Sequence, residues 1–275
     1  FDLHLFDFTS TKSSSQKHLM SAVDDLFAEL RRTNRKAFIS FVTAGDPDLD
    51  FTADVLRELS AQGTALCELG IPYSDPIADG PVIQASYTRA LEQKIRLSEI
   101  FDLTAKVTPD LACPVVMMVS YAIVYRNGLE NFVQQAKAAG VSGAIVPDLL
   151  VEEADDLSKI CADHDFSLIQ LVTPTTPPER AVKIAQSSSG FIYFVSVTGI
   201  TGERSQLPDD LLENVAWLRQ QTDLPVCIGF GINQPEHVAA LSPVADGVIV
   251  GSAIMRRIAE HANDRNAAIR AIGNY

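Results

Sequence analysis

The sequence predicts an α/β fold in which eight parallel strands, each followed by a helix, close into a TIM (β/α)8 barrel. Three observations support this fold class. Eight short apolar runs recur along the 275 residues, amphipathic helix-like segments separate them, and 47% of the chain is hydrophobic, enough for one large core. A doubly wound open sheet has the same alternation of elements and stays open as the structural alternative.

The eight runs have the length and the continuous apolar character of strands buried on both faces of a parallel sheet. We expect each run to form one strand. In chain order they are AFISFV from Ala37, ALCELGI from Ala65, CPVVMMV from Cys113, GAIV from Gly143, SLIQLV from Ser167, GFIYFVSV from Gly190, LPVCIGF from Leu224 and DGVIVG from Asp246.

The segments between the runs carry the spacing and the end signals of helices. Asp50–Gly63 and Leu129–Gly140 have apolar residues at helical spacing and end in glycine, which is common just after a helix. The segment between the second and third runs is the longest, so we expect one additional helix there. Before the first run, MSAVDDLFAELRR from Met20 is amphipathic and predicts an extra N-terminal helix.

The start of the chain differs in composition from the rest. It is polar and serine-rich, and it lacks the apolar stretch of a signal peptide. We expect residues 1–19 to be a disordered extension, with Met20 as the natural start, and residues 20–275 to form a single barrel domain.

Composition disfavours several classes of partner and cofactor. The net charge of −13 argues against nucleic acid and anionic membrane surfaces, and no apolar run is long enough to span a bilayer. The five histidines show no metal-ligand spacing, so we expect no metal and place them on the surface or in loops. The four cysteines form no CxxC pair, which favours reduced, buried thiols in a cytoplasmic protein.

Acidic residues mark the end of the second run. Glu68 stands where a barrel strand ends, and active sites of such barrels lie at the C-terminal ends of their strands. Burial raises the pKa of a carboxyl group, which suits acid–base chemistry near neutral pH. The alternative is a structural glutamate bound by backbone N–H groups. Asp75 and Asp79 follow in a loop, where each is also compatible with an ordinary turn.

Glycine-rich turns follow the last three runs. TGITGE begins at Thr198, GFGIN at Gly229 and GSAI at Gly251. Glycine lets backbone N–H groups approach a ligand closely, and a helix N-terminus attracts a phosphate. Three such turns in succession predict a phosphate site, which reconciles the acidic chain with an anionic substrate. No lysine stands at the C-terminal end of a predicted strand, so Schiff-base chemistry has no candidate nucleophile.

Several of these stretches together resemble one family. FVTAGDPD, CELGIPYSDPIADGPVIQ, VPDLLVEE, VTGITGER, GFGI and VGSAI occur in this order between Met20 and the C-terminus. On these motifs the chain resembles the tryptophan synthase alpha subunit. The resemblance implies a TIM barrel and a lyase that cleaves indole-3-glycerol phosphate, by a retro-aldol reaction, to indole and glyceraldehyde 3-phosphate.

The resemblance also implies roles for individual residues. Glu68 matches the glutamate that moves protons at the indole C3 and the glycerol hydroxyl, and Asp79 matches the aspartate that binds the indole N–H. Asp75 matches a loop residue that faces the partner subunit. Phe41, Ile83 and Phe230 match apolar residues around the indole, and Tyr193 matches an active-site tyrosine. Thr201 matches the threonine of a mobile loop. The phosphate site is matched by Gly202, Gly231, Gly251 and Ser252.

A partner belongs to the same expectation. The resemblance implies a cytoplasmic alpha2beta2 tetramer, in which a tryptophan synthase beta subunit converts the indole to L-tryptophan. It implies no cofactor in this chain, because pyridoxal phosphate sits in the beta subunit.

Two positions depart from the pattern of the family. Ser120-Tyr121-Ala122 stands where members often have Tyr-Tyr-Asn or Tyr-Ala-Asn, so a substrate-facing aromatic is missing or shifted by one. Leu150 replaces a proline, which would loosen the loop after Asp148.

Two other functions stay open. Another phosphate-binding barrel, such as a sugar-phosphate epimerase or isomerase, would share the glycine turns, but epimerases of that kind usually need a metal held by histidines. A barrel kept only to activate a partner subunit would need no chemistry, and the presence of Glu68 and Asp79 argues against that role.

Overall fold

A computed structural model describes residues 21–76, 79–196, 211–229, 231–232 and 234–275. Within these residues one sheet contains nine strands, and every pair of neighbours is parallel. The strands are β1 Ala37–Thr43, β2 Leu66–Gly70, β3 Val115–Met118, β4 Val141–Ile145, β5 Ser167–Ile169, β6 Leu171–Val172, β7 Ile192–Val195, β8 Val226–Gly229 and β9 Gly247–Val250.

Helices connect the strands and cover the sheet. In the described part of the chain they are α1 Ala22–Arg32, α2 Leu49–Ala61, α3 Pro81–Glu92, α4 Leu97–Val107, α5 Tyr121–Asn127, α6 Leu129–Ala138, α7 Asp155–Asp163, α8 Pro178–Ser187, α9 Leu211–Arg219, α10 Pro235–Leu241, α11 Ser252–Glu260 and α12 Arg265–Gly273. The predicted N-terminal helix is confirmed as α1, and the predicted additional helix is confirmed because both α3 and α4 lie between β2 and β3.

The sheet closes through the fifth apolar run. Its strand order is β5-β4-β3-β2-β1-β9-β8-β7-β6, so its two ends are consecutive in the chain. The prediction of one unbroken strand from Ser167 is wrong, because the structure divides this run at Gln170. The first part pairs with β4 and the second with β7. Strands in a barrel are tilted and staggered, so a short run can contact one neighbour first and the other afterwards.

Helix α1 covers the N-terminal end of the barrel. The Ser21 hydroxyl caps this helix and lies 2.7 Å from the hydroxyl of Ser167, where β5 begins. The ring of Phe27 lies 5.7 Å from the ring of Phe191, which directly precedes β7. The opposite end, where the strands finish, is therefore the end at which a ligand can enter.

Other sequence expectations have different outcomes. Residues 1–19 lie outside the described residues. All four cysteines are free and buried, as predicted. His237 is buried in α10, so the expectation that every histidine lies on the surface or in a loop is wrong. Within the described ranges, no helix has the length and apolar character of a membrane span, and no cluster of three His, Cys, Asp or Glu side chains could hold a metal.

Candidate active site

Glu68 is the most deeply buried acidic group of the site. It lies in β2, whose five residues are all buried, and its own exposure is 0%. Neither carboxyl oxygen has a hydrogen-bond partner among the described residues. Burial raises the pKa of Glu68 to about 8, and the nearby charge of Asp79 adds to the rise. At neutral pH this carboxyl group is therefore mostly protonated and able to donate a proton.

Asp79 lies at the end of the loop that follows β2. Its N–H donates to the Pro76 carbonyl at 3.1 Å, and the Gln84 side-chain amide donates to the Asp79 carbonyl at 2.8 Å. Gln84, for which the sequence predicted no individual role, holds this part of the loop from the first turn of α3. Asp79 is buried, and burial raises its pKa to about 6. It is therefore mostly ionised at the pH at which Glu68 is mostly protonated.

Phe41 lies next to Glu68 on the neighbouring strand. The two residues are paired in the β1–β2 register, so their side chains share one face of the sheet. A Cβ on Gly70 would lie 2.5 Å from Cζ of Phe41, and a Cβ on Gly251 would lie 3.2 Å from its Cβ. Glycine at both positions therefore makes room for the Phe41 ring, which links the carboxyl end of the site to the predicted phosphate end.

Tyr193 of β7 faces the same interior. Its ring fills the space beside Gly229, where a Cβ would lie 2.5 Å from Cζ of the tyrosine. Burial raises the pKa of Tyr193 well above its usual value, and the charges of Glu68 and Asp79 add to the rise. Ile83 is buried on the first turn of α3. These residues together provide an apolar wall beside the two carboxyl groups.

The turn after β9 has the structure that an anion site needs. Gly251 is the N-cap of α11 and Ser252 is its first residue, and both are half-buried. The first N–H groups of a helix have no partner inside the helix, and the helix dipole makes them attract negative charge. Gly231 follows β8 with a φ of 74°, a backbone conformation that favours glycine.

The remaining predicted site residues are not part of this described pocket. Thr201, Gly202 and Phe230 lie outside the described residues, as does the predicted mobile loop. Asp75 is exposed on the loop after β2, where a partner could reach it.

The two departures from the family pattern have structural consequences. Ser120 caps α5, and its hydroxyl donates to the Asp148 carboxylate at 2.7 Å. Tyr121 packs against Tyr125, which is 70% exposed, and is itself half-buried against the core. Leu150 directly precedes a short 3-10 helix, Val151–Glu153, so the chain turns immediately after this position.

The comparison with known families decides the assignment of the chain. The sequence model of the family described as tryptophan synthase alpha chain matches residues 27–274. The chain belongs to this family. The tryptophan synthase alpha chain of Rhodopirellula baltica is 58% identical over 244 residues, which cover 88% of each chain. That of Rippkaea orientalis is 47% identical over 257 residues, covering 93% of this chain and 96% of the relative.

Solved structures of tryptophan synthase chains have the same fold. The alpha chain of Legionella pneumophila has a TM-score of 0.84 at 33% identity and covers 93% of this chain and 94% of its own length. A chain of the a2b2 complex from Pyrococcus furiosus has a TM-score of 0.81 at 37% identity and covers 86% of this chain and 95% of its own length. The predicted TIM barrel and the predicted family are thus confirmed.

Proposed function

We propose that this chain is the alpha subunit of tryptophan synthase and cleaves indole-3-glycerol phosphate to indole and glyceraldehyde 3-phosphate. The observation that carries the proposal is the pair of buried carboxyl groups, Glu68 and Asp79, at the C-terminal end of a barrel of this family. Their raised pKa values, about 8 and about 6, keep one group protonated and the other ionised near neutral pH. The site therefore offers an acid and a fixed negative charge together.

The substrate has an indole and a phosphate at opposite ends, and the site has a matching division. The indole lies against Phe41, Ile83 and Tyr193, which are buried beside Glu68. The phosphate lies at the N-terminus of α11, with Gly251 and Ser252, where backbone N–H groups and the helix dipole favour an anion. Gly231, which follows β8, belongs to the same set. The residues that we assign to substrate binding also include Thr201, Gly202 and Phe230.

The reaction needs two proton transfers, both through Glu68. Glu68 donates its proton to the indole C3, which places positive charge on the ring nitrogen, and the Asp79 carboxylate accepts the indole N–H and stabilises that charge. The Glu68 carboxylate then takes the proton of the hydroxyl on the adjacent glycerol carbon. The carbon–carbon bond breaks as the aldehyde forms, and its electron pair returns to the ring. Glu68 ends protonated, as it began, so no further reactant is consumed.

A beta subunit is the partner that we assign to this chain, in an alpha2beta2 tetramer. The relative from Pyrococcus furiosus belongs to an a2b2 complex described as mutually activating. Indole is small and apolar and would escape if released to solvent. The loop after β2 carries exposed Asp75 and buried Asp79, so a subunit docked on this loop could reposition the indole anchor. We expect activation of ordinary allosteric size, roughly 5–150-fold.

Two further assignments follow from this proposal. We assign no cofactor to this chain, because the chemistry needs only proton transfer and pyridoxal phosphate belongs to the beta subunit. We place the enzyme in the cytoplasm, where its four free, buried cysteines would stay reduced.

Indole release from indole-3-glycerol phosphate tests the proposal, with the purified chain alone and with a tryptophan synthase beta subunit. We expect slow release alone and a clear rise with the partner. Asp75→Ala should reduce this rise more than the basal rate, whereas Asp163→Ala, at an exposed position on α7, should not. No indole under either condition would refute the lyase. Full activity alone, unaffected by a beta subunit that binds, would refute the coupling.

A further inference from the structure

Tyr87 of α3 carries a deeply buried hydroxyl group. It lies on α3, one helical turn after Ile83, and its side chain is 1% exposed. Its hydroxyl has no hydrogen-bond partner among the described residues. Buried hydroxyl groups in folded proteins are almost always hydrogen-bonded, so this one indicates a partner that the resting site does not present.

The hydroxyl of Tyr87 lies on the face of β2 that carries Glu68. A Cβ on Gly70 would lie 2.9 Å from this hydroxyl, so the tyrosine reaches into the space of the missing Gly70 side chain. Residues two positions apart on a strand point to the same face. Glu68 and Gly70 are two apart in β2, and in the described part of the chain both Glu68 carboxyl oxygens are also buried without a hydrogen-bond partner. The Tyr87 hydroxyl therefore lies on the same face of β2 as these two oxygens.

Titratable groups approach Tyr87 from three elements. Asp79 and Tyr73 come from the loop after β2, Glu68 from β2 itself and Tyr193 from β7. The Tyr73 ring lies 5.6 Å from the Tyr87 ring. Burial raises the pKa of Tyr87 well above its usual value, and the charge of Asp79, then Tyr73 and Glu68, adds to the rise. The hydroxyl group therefore stays protonated. Toward a carboxylate it acts as a hydrogen-bond donor.

Strand β1 and helix α11 also pack against α3. Strand β1 contributes Thr43, whose hydroxyl lies 2.6 Å from that of Ser86, and α11 contributes the Met255 sulfur, which accepts the Thr43 N–H. Arg89 of α3 is bound by both oxygens of buried Asp46.

We propose that Tyr87 is a positioning residue for Glu68: its hydroxyl donates a hydrogen bond to the Glu68 carboxylate that exists between the two proton transfers. This inference rests on the proposed function. At neutral pH the resting Glu68 is mostly protonated and carries no charge for Tyr87 to stabilise, and among the described residues neither group has a hydrogen-bond partner. After Glu68 has given its proton to the indole, its carboxylate is a buried charge. A hydrogen bond from Tyr87 would stabilise that charge and orient the oxygen that receives the second proton.

The Tyr87→Phe variant removes only the hydroxyl and keeps the ring. The decisive measurement is the pKa of Glu68, followed by ¹³C NMR of carboxyl-labelled glutamate, with Glu68→Gln used to assign the signal. We expect the pKa of Glu68 to rise by about one unit, the ordinary strength of a hydrogen bond to a charged group. In cleavage assays with the beta subunit present, kcat should fall about tenfold with KM nearly unchanged. The basic side of the pH profile should move upward with the pKa.

Tyr73→Phe is the matched control. It also removes a hydroxyl from this pair of rings, but the charges that act on Tyr73 are those of Asp79, Asp148 and Asp75. We expect it to leave the pKa of Glu68 unchanged. A fluorinated tyrosine at position 87 is a stronger donor and should lower the pKa of Glu68, which tests the inference even where the Phe variant is unstable.

An unchanged pKa of Glu68 in folded Tyr87→Phe would overturn the inference. A rise in KM alone would also overturn the inference, because the hydroxyl would then bind Asp79 or the substrate and not Glu68. A wild-type chain that releases no indole would refute the proposed function instead, while the NMR titration would still decide the role of Tyr87.

Discussion

Two buried carboxyl groups of the barrel, Asp246 and Glu68, have opposite surroundings. At the N-terminal end, Asp246 precedes β9, the Arg219 guanidinium donates to its Oδ1 at 3.2 Å, and the Val226 N–H donates to its Oδ2 at 3.0 Å. At the C-terminal end, Glu68 is at least as buried, yet neither of its oxygens has a partner in the described part of the chain. The first carboxyl group has polar partners, whereas burial opposes ionisation of the second.

Position at the C-terminal end does not by itself leave a carboxylate unpaired. Asp46 follows β1 at that same end, and Arg89 binds it through two nitrogens, at 2.8 and 2.7 Å. The fold can therefore supply a cation close to the site, yet among the described residues none pairs with Glu68. An unpaired buried acid lowers stability, so its presence beside Asp79 indicates a function that needs a proton to be held and released.

Removing the unpaired acid should have the largest effect. Glu68→Gln keeps the shape of the side chain but cannot exchange a proton, and positioned acid–base catalysis contributes about 10²–10⁴-fold. We expect indole release to slow by at least that range, with binding of indole-3-glycerol phosphate nearly intact. Glu260→Gln, an exposed position on α11, is the control. Near wild-type turnover of Glu68→Gln in stopped assays would show that another group moves the protons.

The same variant should stabilise the protein at high pH. The pKa of Glu68 in the folded state, about 8, lies above the usual 4.5, so folding favours the protonated form. Its contribution to stability is complete below pH 4.5 and is lost as the pH rises through about 8. The loss amounts to as much as about 5 kcal/mol, since each pKa unit corresponds to about 1.4 kcal/mol.

Thermal unfolding at two pH values measures this effect. We expect Glu68→Gln and wild type to melt at similar temperatures at pH 5, and the variant to melt several degrees higher at pH 9. An equal difference at both pH values would mean that Glu68 does not titrate in this range.

Removing Asp246, the paired carboxyl group at the N-terminal end, should lower the stability of the protein. Asp246→Ala leaves the buried Val226 N–H without its side-chain acceptor and Arg219 without its partner. Because Arg219 is about one-third exposed, water screens its charge, and we expect a loss of about 1–3 kcal/mol in the free energy of unfolding. Denaturant titration measures the loss. The kcat of the folded variant should stay near wild type, and a large fall in kcat would place Asp246 in the site.

The pH dependence of cleavage should show the smallest and most gradual effect. The rate needs Asp79 ionised and Glu68 protonated, so kcat/KM should be greatest between about pH 6 and about pH 8. Outside this window it should fall about tenfold per pH unit. Asp79→Asn should remove the acidic side of the profile and retain the basic side. A profile that is flat from pH 5 to pH 9 would be incompatible with these roles.

Much of the fold was predictable because strands that are buried in a parallel sheet have continuous apolar sequences. The break at Gln170 was not, since SLIQLV is one such run and nothing local marks where a strand changes neighbours. That point depends on the stagger of β4 and β7.

The site was predictable where a residue type was unusual for its position. A glutamate in an apolar run stands out, and Glu68 is indeed buried without a partner. Tyr87 gave no such signal, because an aromatic residue at helical spacing reads as ordinary core. The direction of its hydroxyl depends on Gly70, which belongs to another element. Ser120 likewise gave no sign that it would bind Asp148.

The closure of the sheet divides the chain into two arcs. Strands β1–β5 neighbour one another in chain order, as do β6–β9, and the arcs meet at Gln170 and where β1 pairs with β9. The first arc carries Glu68 and the second carries Gly251, and Phe41 bridges them at the β1–β9 junction. A nascent chain that is half synthesised thus already contains Glu68 but lacks the turn at Gly251 that we assign to phosphate binding. The acid and the phosphate-binding turn come together only when β1 pairs with β9, the two paired strands farthest apart in sequence, whose pairing closes the longest loop.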